Sequence, residues 1–293
     1  MQDFKYYAPT EVVFGKDAEE HLVEMINKYG GKKVLVHYGG HSAERSGLLA
    51  SVREKLNAAG IAFVELGGVK PNPRLTLVHE GIKLCRKENV DFILAVGGGS
   101  VIDSSKAIAY GVKYDGDVWD IYARKYVPTD MLPVGVILTI PAAGSEMSDS
   151  SVITKEDGDL KIGYSNNICR PKFAIMNPVR TFTLPPYQTA CGATDIMMHT
   201  MERYFGKVDD MTLIDNIAEA LMRTVKDSVF HVLENPEDYR NRACIMWASS
   251  LGHNDLTGDR SYADFATHQI EHELSAMFDV AHGAGLAAVW PSW

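Results

Sequence analysis

Two pairs of residues four apart open a route to chemistry. Asp195 and His199 fall in ATDIMMHTMERY, and His268 and His272 fall in THQIEHEL. Both stretches carry helical apolar spacing, so each pair shares one helix face and can address one ion. His282 follows in DVAHGAG, a glycine-flanked turn from which the backbone could return it to the second helix. Imidazoles with a carboxylate make a nitrogen/oxygen site suited to Zn²⁺ or Fe²⁺, less to Ca²⁺ or Mg²⁺. A lone helical histidine is ordinarily a surface or satisfied core residue, and a single HxxxH pair arises by chance. Two pairs plus a third element fit chance poorly. Position 269 is Gln, so the HExxH form of a zinc protease is absent. Met197, Met198 and Met201 read as packing, and no local spacing ties His253 in SLGHND to the others.

A second chemistry is written in glycine. The apolar run DFILAV ends in Gly97-Gly98-Gly99-Ser100 and a helical pattern, VIDSSKAIA, begins at once. A glycine-rich strand-to-helix turn lets the backbone approach a phosphate, and the free N–H groups of the helix N-terminus attract its charge. A tight turn with no ligand is the plain alternative. This is not the GxGxxG fingerprint. A similar turn, HYGGHSAERSG at 37–47, follows another strand. Dinucleotide folds often place an acidic residue there to bind the adenine ribose. Here Gly39 and Gly40 stand in that place, with Ser42 and Arg45 beyond. A missing carboxylate and a nearby arginine favour a 2′-phosphate, hence NADP(H) over NAD(H); Arg45 reads equally as a solvated surface residue.

Positioning such groups needs a scaffold. Strand patterns at 11–15, 33–38, 61–66 and 91–96 alternate with helical patterns at 17–31, 44–60 and 77–89, followed by the apolar run VGVILTI and a hairpin turning at Asp157-Gly158. Alternation of this kind implies a parallel sheet with helices on both faces. From Pro185 onward the patterns are helical. The expected organisation is an α/β dinucleotide-binding domain over 1–180 and an all-helical metal-binding domain over 181–293. The chain stops at AAVWPSW, with Trp290 and Trp293 near a raw end, so the helical domain is expected to be truncated.

Composition narrows the class. The 293 residues are 46% hydrophobic and 23% charged, with net charge −9. An acidic chain without a basic run is a poor nucleic-acid or anionic-membrane binder, so neither partner is expected. No segment reaches the ~18 apolar residues of a membrane span. The N-terminal MQDFKYYAPTEVVFG lacks a basic region followed by an apolar core, and the four cysteines form no Cys-x-x-Cys pair. Cytoplasm is the expected compartment.

In combination, GGGSVIDSSKAIA (97–109), LTIPAAGSEMS (138–148), LPPYQTACGATDIMMHTMERY (184–204) and THQIEHELSAMFDVAHGAGLA (267–287) resemble the iron-containing alcohol dehydrogenases, in their butanol dehydrogenase-like branch. The resemblance covers the whole chain. It implies that Asp195, His199, His268 and His282 are metal ligands, with His272 beside the nicotinamide. It implies a pyrophosphate loop at Gly98, Gly99 and Ser100, followed by the carboxylate of Asp103; His272 and Asp103 are the expected catalytic residues. Thr139, Lys161 and Asn72 of KPNPR match coenzyme contacts, and Gly39, Gly40 and Ser42 resemble the adenosine-phosphate turn of NADP-using members. Ala143 replaces a threonine common before GSE, and Ser105 replaces a usual alanine.

The implied activity is metal-dependent, NAD(P)-linked interconversion of small alcohols and aldehydes, in a homodimer. Two other classes compete. One is a metal- and NAD-binding lyase or cyclase of the dehydroquinate synthase-like fold, which needs a cluster of cations in the cleft. The other is a metal- or nucleotide-binding protein without catalysis.

Overall fold

The computed structural model describes residues 3–206, 211–258 and 263–293. Its centre is a six-stranded, wholly parallel sheet in the order β1-β8-β5-β4-β2-β3. The strands are β1 (Glu11–Phe14), β2 (Lys33–Tyr38), β3 (Ala62–Leu66), β4 (Phe92–Gly97), β5 (Val134–Leu138) and β8 (Phe173–Met176). The first five match the apolar runs of the sequence. The sixth, β8, is announced by no pattern, because FAIM is only four residues long and lies between Pro171 and Pro178. It is fully buried and pairs on both sides, with β1 and with β5.

Side-chain alternation divides the sheet into two faces. Val34, Val36, Phe92, Leu94 and Val96 pack on α1 (Leu22–Lys28) and α3 (Leu48–Ala58). Leu35, Ile93, Ala95, Val134 and Val136 pack on α4 (Leu75–Glu88), α5 (Gly99–Lys113) and α6 (Trp119–Tyr122). The expected parallel sheet covered on both faces is thus present. The helical pattern at 44–60 is not one helix: α2 (Ser42–Arg45) and α3 are separated by Gly47, whose φ of +75° turns the chain out of the helix. The expected hairpin forms as β6 (Ser150–Lys155) against β7 (Leu160–Ser165), antiparallel, with Gly158 at φ +89° in its turn.

After β8 the described chain is helical: α7 (Pro186–Tyr204), α8 (Thr212–Glu234), α9 (Tyr239–His253), α10 (Ala266–Phe278) and α11 (His282–Val289). Ile196, Leu221, Val225, Val232 and Ile245 give α7–α9 their own apolar core. Among the described residues no helix is long and apolar enough to cross a membrane.

The strand order sets where a ligand can sit. From β2 the chain moves outward to β3, then returns past β2 to β4 and goes on to β5. The loops after β2 and β4 therefore leave in opposite directions and open a crevice at the carboxyl ends of the strands. Beneath it, fully buried His37 of β2 bonds the Leu66 carbonyl through Nδ1 (2.7 Å) and Ser104 Oγ through Nε2 (2.9 Å). A carbonyl only accepts, so Nδ1 carries the proton and Nε2 accepts from the serine. Burial holds the His37 pKa down at about 4. As pH falls below about 6.5, the unfolded chain takes up a proton that the folded one refuses. Stability should therefore decline from pH 6.5 and level off below pH 4, a loss of about 3 kcal/mol from this group. Urea unfolding at pH 7 and 4.5 measures it. His37→Gln should flatten the difference, and an unchanged pH slope in that variant would refute the assignment.

Candidate active site

Helix α7 begins with Pro186 at its first turn, where the absent N–H is not missed. Asp195, His199 and Glu202 then fall on one face. On α10 the positions 268, 271, 272 and 275 form the facing stripe, so His268, Glu271, His272 and Ser275 point one way. Helix α10 ends at Asp279, in the left-handed region with φ +53°. Three residues later α11 starts. His282 is the first residue of that helix, not part of a free turn as the glycines suggested. Gly283 is what lets it come close. A Cβ there would overlap the Cys191 carbonyl oxygen, so α11 packs backbone to backbone on α7.

This packing converges three of the four expected ligands. Donor atoms of Asp195, His268 and His282 lie within 4.8 Å of one another. Asp195 Oδ1 is 3.6 Å from His268 Nε2 and 3.7 Å from His282 Nε2. These separations are too long for hydrogen bonds and suit ligands that share one ion about 2 Å from each. His199 stands beside the set but outside it. Its ring is 4.3 Å from that of His268, and its Nδ1 donates to the Asp195 backbone carbonyl at 3.0 Å. The other two imidazoles are tied in the same way: His268 Nδ1 bonds Glu202, and His282 Nδ1 bonds Glu271. The His268 and His282 rings are thereby set to offer Nε2 to the site, whereas the His199 nitrogen nearest the Asp195 carboxylate is Nδ1, 3.0 Å from Oδ1.

The donor set fits a cation. Asp195 Oδ1 and His268 Nε2 are buried, face each other and make no well-formed hydrogen bond among the described residues, although His199 Nδ1 lies 3.0 Å from the same Oδ1. Such groups are costly to bury unless something compensates them. Burial pushes the Asp195 pKa up, but His199 and His282 outweigh it and hold the carboxyl well below its usual range. Burial, with the neighbouring His268, holds His199 at about 4. Burial and the nearby Lys161 ammonium keep His272 well below the usual imidazole value, hence neutral. Its ring lies 5.7 Å from that of His282.

Across a cleft of about 890 Å³ stands the glycine wall, and all fifteen residues expected to bind or react line this cleft. Side chains at Gly98 and Gly99 would meet Ile140 and Ala143 at 2.9 and 3.1 Å, so the turn into α5 is a bare backbone surface. Gly39, Gly40 and Ser42 border the same space, whereas Arg45 is exposed and lies outside it. Thr139 is anchored by its N–H on the Gly97 carbonyl. Two of the expected residues are also engaged within the protein. Both oxygens of Asp103 are occupied, by Ser145 Oγ (2.6 Å) and the Val152 N–H (3.0 Å). The Asn72 amide donates to Asp279 (3.0 Å) and to the Val280 carbonyl (3.4 Å), bracing the turn that carries His282.

Two models describe this chain. That of the iron-containing alcohol dehydrogenases matches residues 9–178, and that of the family's C-terminal region matches 189–293. The chain belongs to the iron-containing alcohol dehydrogenase family. It is 45% identical over its whole length to a probable NADH-dependent butanol dehydrogenase of Bacillus subtilis (strain 168), covering 76% of that protein. It is 38% identical to the NADPH-dependent aldehyde reductase YqhD of Escherichia coli (strain K12), covering 75% of it. A crystal structure of NADH-dependent butanol dehydrogenase A from Thermotoga maritima superposes with a TM-score of 0.97 at 42% identity, over all of this chain and 74% of that one.

Some parts of this site were missed by spacing alone. Glu202 and Glu271 each follow a histidine by three residues, which was the available signal. His253, which no spacing tied to the others, lies with its ring 4.0 Å from that of His199, and its Nδ1 accepts from Arg203 at 3.1 Å. Lys106, wholly buried, donates to the carbonyls of Ser145, Ser148 and Ser150 at 2.7–3.0 Å and so shapes the loop facing the glycine wall. In this member of the iron-containing alcohol dehydrogenases, Gly283→Ala should therefore push α11 off α7. A loss of about 1–3 kcal/mol in urea unfolding is expected, with weaker Zn²⁺ uptake in a titration. Wild-type values for both would show that the close approach does not set His282.

Proposed function

We propose that this chain interconverts small primary alcohols and aldehydes by hydride transfer to and from a nicotinamide coenzyme, with one divalent ion, Fe²⁺ or Zn²⁺. The observation that carries the reading is the buried Asp195–His268–His282 cluster, its donor atoms too far apart to bond one another, on one cleft with a glycine backbone wall suited to phosphate. Asp195, His199, His268 and His282 would hold the ion, and the iron of the family's name fits this donor set as well as zinc does. When bound, such an ion supplies Lewis acidity toward the substrate oxygen. The nicotinamide supplies the redox chemistry.

The chain's own residues do the rest. Gly98, Gly99 and Ser100, at the start of α5, offer N–H groups to the pyrophosphate. Lys161 and Thr139 lie between that wall and the helices and would orient the coenzyme. Alcohol oxidation must shed a proton, and His272, which borders the cleft, would pass it on rather than hold it, since burial and Lys161 disfavour its charged form. Asp103, with both oxygens engaged, positions the Ser145 loop and β6 instead of moving protons. In this division of labour residues 1–180 carry the coenzyme and 181–293 the metal. A homodimer, testable by sedimentation, and a cytoplasmic setting complete the reading; all four cysteines are free thiols, as a reducing compartment favours.

For the coenzyme, the carboxylate-free turn at Gly39, Gly40 and Ser42 favours NADP(H), although Arg45 contributes nothing to the cleft. The relatives' names divide between NADH and NADPH. The assay follows coenzyme absorbance with butanal and added Zn²⁺ or Fe²⁺. Butanal-dependent oxidation is expected, with NADPH preferred. Asp195→Ala should lose about a hundredfold or more in kcat/KM, about 2.7 kcal/mol of transition-state stabilisation. Turnover that survives in this variant would end the metal reading; a tenfold preference for NADH would end the NADP reading alone.

A further inference from the structure

Glu271 is wholly buried on α10, one turn beyond His268. Its Oε2 accepts from His282 Nδ1 on α11 and from Lys161 Nζ on β7 at 3.3 Å. Its Oε1 accepts from Ser275 Oγ. The absence of a side chain at Gly285 makes the room: a Cβ there would lie 2.8 Å from Glu271 Cγ. Lys161 is itself buried, 6% exposed, and borders the cleft. One carboxylate thus touches three elements, two helices of the metal side and the hairpin of the coenzyme side.

We propose that Glu271 is a positioning residue that joins the two sides of the cleft: one buried oxygen orients His282 toward the ion and holds Lys161 toward the coenzyme. This rests on the function proposed above. A carboxylate on Nδ1 fixes the ring so that Nε2 faces Asp195 and makes that nitrogen a stronger donor; loss of such a partner typically costs 10–100-fold in metal affinity. The same charge keeps a buried ammonium in place, since an unpaired one would withdraw or lose its proton. Neither histidine spacing nor the glycine loops require an acid at 271, so its place among these three groups is a separate feature of the site.

The test uses the whole chain with Co²⁺, followed by visible absorption, and NADPH, followed by fluorescence. Glu271→Gln keeps size and removes the charge. It should weaken Co²⁺ about 10–100-fold, alter the Co²⁺ band, and weaken NADPH as well. Lys161→Met should weaken NADPH and leave Co²⁺ unchanged. Ser275→Ala removes only the support of the other oxygen and should weaken Co²⁺ less, in the same direction; it carries the test if Glu271→Gln does not fold. Unchanged Co²⁺ affinity and spectrum in Glu271→Gln would overturn the proposal, and so would a Co²⁺ loss with normal NADPH binding. Asp195→Ala separates the two levels: if it binds Co²⁺ like the wild type, the metal site is elsewhere and both readings fall.

Discussion

A carboxylate buried among imidazoles is the constraint to which the rest of the helical side of the cleft answers. Asp195 is 3% exposed, and a charge at such depth is among the costliest features a fold can carry unless its neighbours compensate it. Three imidazoles surround it. For the Nε2 atoms of His268 and His282 to face inward, each Nδ1–H needs an acceptor, and those acceptors are further buried carboxylates, Glu202 and Glu271. These in turn are satisfied by the backbone N–H of Thr267, by Ser275 and by Lys161. One charge therefore dictates a shell of polar residues in what would otherwise be an apolar helix interface. The same demand explains Gly283 and Gly285. Only helices in backbone contact bring a histidine from α11 within 4 Å of an aspartate on α7.

The opposite wall solves a different problem, that of leaving backbone donors bare. A parallel sheet places strand carboxyl ends and helix N-termini on one side, and glycine at 98 and 99 keeps side chains out of the way. The loop facing that wall must be held without intruding. Lys106 does this from below, donating to three of its carbonyls, while Asp103 fastens it through Ser145. Gly144, at φ +63°, lets the same loop pass within van der Waals contact of α9, where a Cβ would lie 2.5 Å from the Ser249 carbonyl oxygen. Ala143 packs on Gly99, and Ser105 spends its hydroxyl on the Val101 carbonyl at 2.8 Å, so neither departure from the usual pattern leaves an unsatisfied group.

What the sequence made legible follows from the range of its signals. Periodicity is local, so the long strands and helices and the two HxxxH-type pairs could be read directly. Motif order located the glycine wall. Three features were beyond that range. Strand β8 is too short to show a period, and its assignment depends on pairing with β1, more than 150 residues away in the chain. His282 looked like a turn residue because glycines 283 and 285 suggest flexibility, when they serve helix contact. Glu202 and Glu271 carried a helical spacing that charge alone disguised, since an acid in a helix normally reads as solvated.

The two halves of the molecule meet mainly through directional contacts. Their large apolar clusters are separate, although Met246 of α9 reaches the sheet's core. Several of the joints between them are polar: Arg74 and Asn72 to Asp279, Lys161 to Glu271, Ser250 to Glu146 at 2.6 Å, and Arg170 to Asp255 at 2.5 Å. Apolar surfaces slide with little penalty, whereas a hydrogen bond weakens steeply over fractions of an ångström and tens of degrees. Hydride transfer between a coenzyme on one wall and a substrate on the other needs registration on that scale. Three of these joints, those to Asp279 and Glu271, fall on α10 and the turn into α11, the same short stretch that carries His268 and His282, so one piece of chain ties the alignment of the two walls to the geometry of the proposed metal site.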